Sequence, residues 1–364
     1  MQSHLRGRAT PRTVPSYFWL GTGGHYALQD YHGYNYYKSP VEAFKAYVEA
    51  QRRYTSKKGA TYELPDDWEE QATLGRKILL HYLHWETQRQ SNHEIPRLKT
   101  LWLDNEVMTP TGIEAVREPQ VEVRIVLPMR TATGIEYEYA ATIDRVCTLD
   151  GSSGTSSNDN QLYIEDYKFY KSFDVQPLDW NQQLTAYMWA ASQVYKELDY
   201  EVAGGVITQF RKSSPEEPKF LANGRISTAK TQQTTRAMYK QALVDLYGSV
   251  DNAPFANIEC LNYLTEQEGP HFDRFIRRDF TTRNQTQLVA EEVKVNDEAT
   301  DMLNQDLPLY PNATRDCSWD CNMRDICLMI DRGEDWQHVL GLEYIEGNTA
   351  TTTDEDDWKE YLPT

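Results

Sequence analysis

The sequence predicts an α/β fold with a central mixed β-sheet flanked by helices, and three observations predict it. Helical stretches lead the chain, a meander of three strand-like runs follows from Gln120 to Lys168, and a helix separates that meander from further strands. This order places helices on a sheet, with an α+β arrangement as the other architecture it admits.

The elements follow in order. Tyr17 to Tyr31 is aromatic and small, with Gly21, Gly23 and Gly24 close together before His25-Tyr26-Ala27-Leu28. It reads as a glycine-rich start to a helix, or as a closely packed first helical turn. Pro40 to Gln51 and Asp66 to Arg89 read as helices. In the second, Leu74, Ile78, Leu79, Tyr82, Leu83 and Trp85 form a broad apolar face. From Gln120, Val121, Val123, Ile125 and Leu127 alternate with Glu122, Arg124 and Val126, the period of a strand. Thr133-Gly134 signals a turn before a second run, Ile135 to Leu149. The Ser/Gly/Asn-rich stretch Asp150 to Asn160 reads as a hairpin connection. Leu162 to Lys168 is the third strand. Asp179 to Leu198 is a helix with Leu184, Tyr187, Met188 and Ala191 on one stripe, and Val202 to Phe210 is a fourth strand. Lys212 to Thr235 is a polar, Pro-rich excursion ahead of a helix near Arg236 to Tyr247. Phe272 to Phe280 is a further strand and Asn284 to Asn304 a further helix.

Length alone suits one large domain or two small ones. The 40% hydrophobic and 12% aromatic content is that of a globular chain. No run of about 18 apolar residues could span a membrane. Arg6, Arg8 and Arg12 near the N-terminus are not followed by the apolar segment of a signal peptide, so a cytoplasmic location is expected. Five cysteines without a signal peptide argue against a secreted disulfide scaffold. The net charge of −18 runs against phosphate binding, yet binding depends on local fields, and part of the excess sits in the run Asp354-Glu355-Asp356-Asp357.

The chemistry concentrates between Ala141 and Tyr187. Asp144 and Asp166 lie on neighbouring predicted strands, so pairing can bring both carboxylates to one end of the sheet. Lys168 follows Asp166 by two residues and shares its strand face, whereas Glu165 points away. Two carboxylates can hold a hard divalent ion such as Mg²⁺ or Mn²⁺, which polarises a phosphoryl group and acidifies a bound water. A lysine beside them can offset charge developing on the phosphate. Gln183 and Tyr187 stand one helical turn apart on one face. Singly, each of these residues has an ordinary reading: a surface aspartate, a chance Asp-x-Lys, a core tyrosine, a structural histidine. Glu122 is a secondary acidic candidate, and His81 and His84 read as neighbours on a packed or solvated helix face.

Taken in order, the residues resemble the RecB-like branch of the PD-(D/E)XK nuclease superfamily, which includes phage exonucleases and exonucleases of CRISPR spacer acquisition. The matching segments are Gly21-Thr22-Gly23-Gly24-His25, Asp144, Asp166-Tyr167-Lys168, and Gln183 to Tyr187. The resemblance implies a restriction-endonuclease-like core with helical additions. It also implies metal ligands at His25, Asp144, Asp166 and the main-chain carbonyl of Tyr167, and catalytic roles for Asp144, Asp166, Lys168, Gln183 and Tyr187. On this reading residues 14–335 form a single nuclease domain. That domain contains an insertion at 211–250 and a cysteine-containing segment at 311–335, and an acidic tail follows at 345–364.

Cys317, Cys321 and Cys327 have a spacing that suits zinc or an iron–sulfur cluster. Some members of the RecB-like branch carry a four-cysteine [4Fe–4S] group, and resemblance to them makes such a cluster the second expected cofactor. The spacing of the first two cysteines is wider than the family's, no cysteine precedes Cys147, and a fourth ligand would be Cys147, Cys260 or a non-cysteine side chain. The alternative is three reduced cysteines in a short helix. Arg274, Arg277 and Arg278 are candidate DNA-binding residues, with Lys168, Lys171, Arg211 and Lys212 following strand ends. Exposed aromatics could stack on single-stranded bases. The expected function is a metal-dependent DNA exonuclease acting on a free end in phage-type recombination or processing. Two alternatives are a catalytically silent nucleic-acid-binding or assembly protein on the same fold, and an iron–sulfur structural protein.

Overall fold

The computed structural model describes residues 9–11, 16–58, 63–91, 97–109, 112–150, 160–173, 178–304, 324–346 and 357–363. Strand β1 (Ala9–Pro11) precedes three helices, α1 (Ser16–His32), α2 (Pro40–Lys58) and α3 (Trp68–Ser91). Strand β2 (Arg97–Thr100) and the hairpin β3 (Trp102–Thr109) and β4 (Gly112–Pro119) lead to β5 (Val121–Arg130), β6 (Glu136–Asp150) and β7 (Gln161–Tyr170). Helix α4 (Gln182–Tyr195) returns the chain to β8 (Glu201–Arg211). Then come α5 (Arg236–Tyr247), α6 (Phe255–Glu266), β9 (Ile276–Thr281) and α7 (Gln285–Leu303). Helices α8 (Arg324–Arg332) and α9 (Trp336–Glu343) run into β10 (Tyr344–Glu346), which pairs with β1, and a 3-10 turn spans Asp357–Tyr361.

The expected mixed sheet between helices is present. Strands β5, β6 and β7 form the antiparallel meander. Strand β8 joins β7 in parallel, with α4 as the crossover that parallel neighbours need, and β9 closes the edge antiparallel to β8. Strands β2 and β5 both lie against β6, on its side away from β7. Because both faces of the sheet are covered, the middle of β8 is buried almost residue by residue rather than in alternation.

One layer is built from α1, α2 and α3, whose Leu20, Leu28, Phe44, Tyr47, Leu79 and Tyr82 cover Tyr167, Phe169 and Phe210. The other is α4 with α7, where Leu184, Met188, Trp189, Leu288 and Val295 cover Ile143, Ile164 and Ile207. Burying these side chains contributes roughly 1.5–3 kcal/mol apiece before entropy is counted. Asn181 caps α4 by accepting the N–H of Leu184 at 2.8 Å. Helix α1 keeps three glycines despite their poor helix propensity, and at Gly23 and Gly24 the reason is proximity. A Cβ on Gly23 would meet Phe44 and Tyr47 at 2.6 Å, and one on Gly24 would collide with the Phe169 ring. Those two positions let α1 lie directly on α2 and on β7.

Several elements depart from the sequence reading. The β3–β4 hairpin and β2 fall in a stretch for which no strands were expected. The excursion expected over 211–250 shares a core with α6: Ile226 packs with Tyr239, Leu243, Cys260, Leu261 and Leu264, so this packing unit reaches Glu266. In the region read as a solvated acidic tail, Trp358 is only 4% exposed and belongs to the core of the α1–α3 layer. The acidic residues Asp354 to Asp356 lie outside the described residues.

Candidate active site

The site forms where β6 parts from β7. Their ladder covers Arg145 to Thr148 against Leu162 to Glu165, after which β6 pairs only with β5. The register of Arg145 with Glu165 carries Asp144 opposite Asp166, and that of Val121 with Arg145 carries Glu122 opposite Asp144. Three carboxylates therefore form a row across β5, β6 and β7. Like charges directly opposite each other destabilise a sheet, so such a row calls for positive charge.

The structure supplies that charge from two elements. His25 on α1 places Nδ1 3.2 Å from Asp144 Oδ1. Lys168 Nζ donates to Asp166 at 3.1 Å and 3.0 Å. Asp144 also replaces a missing ladder partner, because its Oδ2 accepts the backbone N–H of Tyr167 at 2.6 Å. The N–H and C=O of one strand residue project to the same side, so the Tyr167 carbonyl faces the same opening. On α4, Gln183 Oε1 accepts from Lys168 Nζ at 2.8 Å and Gln183 Nε2 donates to the Tyr187 hydroxyl at 2.8 Å. Asp166, Lys168, Gln183 and Tyr187 are thus one hydrogen-bonded chain.

The donors divide into two groups. His25, Glu122 and Asp144 can offer ligand atoms all within 4.8 Å of one another, a set that does not include Asp166. Glu122, the secondary candidate of the sequence, therefore stands within 4.8 Å of both Asp144 and His25. It holds a left-handed φ of 49°, a conformation costly for a non-glycine residue and concentrated at functional sites. Titration follows the same geometry. Burial, and then the negative charge of Asp144, raise Asp166 to about 6. Burial pulls His25 down, but Asp144 outweighs it and the imidazole is raised to about 9. A nitrogen and several carboxylate oxygens, crowded enough to hold extra protons, fit a divalent cation that would displace those protons. A cleft of about 650 Å³ opens over this row, lined among others by Tyr26, Glu122, Lys168, Gln183, Lys212 and Lys359.

The family model of the PD-(D/E)XK nuclease superfamily matches residues 1–328. The chain belongs to this superfamily. It is accordingly a nuclease by family, and the superfamily uses divalent metals and acts on DNA. No curated protein matches the sequence. Among the described residues no helix is long and apolar enough to cross a membrane.

The nuclease's other expected residues fall elsewhere. Arg278 is 2% exposed and pairs with Glu86 at 3.2 Å and Glu165 at 3.3 Å, so it is a buried structural cation and not a phosphate ligand. Arg274 donates to the carbonyls of Gln232 and Thr234, and Arg277 pairs with Asp279 at 2.6 Å. None of the three lines the cleft, because they sit on or just before β9, with β8 between it and β7. Lys212, which the sequence placed after a strand end, does line it, whereas Trp358 and Lys359 reach it from a region read as tail. Local spacing could not reveal those two, since they arrive through a long-range contact.

Cys317 and Cys321 lie outside the described residues, and Cys327 is half-buried on α8. The two candidates for a fourth ligand are placed in separate cores. Cys147 sits in β6 with Sγ 3.8 Å from Glu165, and burial pushes its thiol up to about 12, which disfavours the thiolate a cluster needs. Cys260 is buried among α5 and α6. His81 is a structural histidine, paired with Asp273 at 2.7 Å.

Proposed function

We propose that this nuclease is an Mg²⁺- or Mn²⁺-dependent DNA exonuclease that trims free ends, of the kind used in phage-type recombination and DNA processing. The observation that carries the reading is the meeting of Asp144 and Asp166 across the parted strands, with Lys168 Nζ bonded to Asp166. His25, Asp144, Asp166 and the Tyr167 carbonyl would hold the cation, with Glu122 beside them. A cation there would supply Lewis acidity toward the phosphate and lower the pKa of water.

The chain's own residues do the rest. The Lys168 ammonium, clamped between Asp166 and Gln183, sits where it can orient the attacking water and offset charge gathering on the phosphate as one P–O bond breaks. Tyr187 fixes the Gln183 amide and so the direction of the Lys168 amine. Tyr26 and Trp358 contribute aromatic rings to the cleft, and the bases of a single strand stack on aromatic rings.

Incubation of the purified protein with end-labelled single- and double-stranded DNA, in Mg²⁺, Mn²⁺ or EDTA, tests this directly. Release of nucleotides from one end, only with metal, is expected. Internal fragments would make the protein an endonuclease. Full cleavage in EDTA, or by Asp166→Ala, would overturn the proposal.

A further inference from the structure

The cleft that Glu122 and Asp144 line is also lined by a segment that follows the matched family region. Residues 357–363 dock on α1 and α2. The Trp358 ring meets Tyr26 edge-on at 5.2 Å and Tyr47 at 4.8 Å, Tyr361 meets Tyr54 at 5.8 Å, and the Tyr37 hydroxyl donates to the Pro363 carbonyl at 3.1 Å. Tyr26 and Trp358 both line the cleft, so the anchor and the cleft wall share their side chains. Next to the anchor, Lys359 is exposed and lines the same cleft. Lys168, Lys212 and Lys359 thus come from β7, from the residue after β8, and from the C-terminal segment, and all line one cavity.

We infer that the segment Asp357–Tyr361 is a substrate-binding element of the nuclease, in which Trp358 pins the segment to α1 and α2 and Lys359 binds a backbone phosphate of the DNA strand in the cleft. The inference rests on the proposed DNA-cutting activity, and it names where the strand is gripped. The physical case is one of local field. In a chain of net charge −18, strand binding requires cations gathered where the phosphates lie. The three sequence-predicted arginines do not provide them, whereas these three lysines border the reaction site itself. The anchoring tryptophan matters because a lysine on an untethered segment would lose part of its contact energy to ordering.

The test is DNA binding measured in EDTA, where no cleavage occurs, across a salt series, alongside steady-state cleavage with metal. Lys359→Ala is expected to weaken binding several-fold and to flatten the salt slope by about one unit, as loss of one phosphate contact does. It should raise KM with little change in kcat, and Lys359→Arg should restore both. Trp358→Ala should lower affinity to a similar extent and also lower Tm, while Lys359→Ala leaves Tm in place. If the parent protein cuts DNA but Lys359→Ala binds with unchanged affinity and salt slope, the segment is a structural anchor only and the inference fails alone. A parent that neither binds nor cuts DNA overturns both this inference and the proposed activity.

Discussion

Glu165 and Asp166 are neighbours on β7, yet the two faces of that strand treat their charges in opposite ways. On the α1–α3 side, Glu165 is fully buried and fully answered. It accepts from Arg145 at 2.8 Å, from Thr208 at 2.7 Å and from the Tyr167 hydroxyl at 3.2 Å, and it pairs with Arg278. Arg145 in turn reaches Thr100 and the Leu98 carbonyl, and Arg278 reaches Glu86 and stacks over Trp85. Burial works against the Glu165 carboxylate, but Arg278 and Arg145 prevail and hold its pKa below the ordinary value. On the α4 side, Asp166 faces another acid and has Lys168 as its cation, and its pKa is raised. A buried charge that fold stability depends on has every lone pair met. A buried charge kept for chemistry is left short of compensation, ready for a ligand.

The sharpest way to separate the two faces is to neutralise each acid. Asp166→Asn is expected to lower cleavage by about a thousandfold or more while leaving the melting temperature level or higher, since it removes one charge from the row. Thermal unfolding and end-labelled DNA assays on the same preparation report both quantities. Glu165→Ala should do the reverse, costing about 3–5 kcal/mol of stability by stranding Arg145 and Arg278 without their shared carboxylate. If urea melts show Glu165→Ala as stable as the parent, the quartet of Glu86, Arg145, Glu165 and Arg278 does not hold the sheet to α3.

A smaller perturbation probes how the helix reaches the row. Gly24→Ala would force α1 away from Phe169, with an overpacking cost of about 1–3 kcal/mol and loss of cleavage through displaced His25. Weaker metal binding by calorimetry together with a lower Tm is the expected pair of results; an unchanged metal affinity would show that His25 does not need that seat.

The mildest effect is a pH dependence confined to the Asp166 side. In the folded protein Asp166 keeps its proton up to about 6 and His25 keeps its own up to about 9. A cation must displace both below pH 6, only the histidine's between 6 and 9, and neither above. Metal affinity should therefore climb steeply up to about pH 6 and more gently to about pH 9. The sign for stability is the opposite without metal. Asp166, raised above its unfolded value, costs nothing below about 4, and its penalty grows as pH rises through 6. A metal affinity that falls with rising pH over this range would contradict the arrangement.

Much of this division was legible in the sequence. Strand alternation placed Asp166 and Lys168 on one face and Glu165 on the other, and the order of the helix, meander and crossover gave the mixed sheet. The row of acids was only half visible, because Glu122 joins it through the pairing of β5 with β6, which no local spacing encodes. Arg278 was misread for a related reason: a run of arginines looks like a phosphate grip until a partner strand and α3 bury one of them. The docked Trp358 was hidden by its acidic neighbours, which dominate the composition of the C-terminal stretch. The hairpin over Trp102–Pro119 escaped because Asp, Asn and Glu punctuate its first strand, blurring the period.

The backbone at Glu122 leaves a last consequence. A left-handed residue inside a strand is a place where glycine would fit with less strain, so the glutamate at 122 runs against the preference of the backbone. Glu122→Gly should accordingly bind metal more weakly yet melt no lower than the parent.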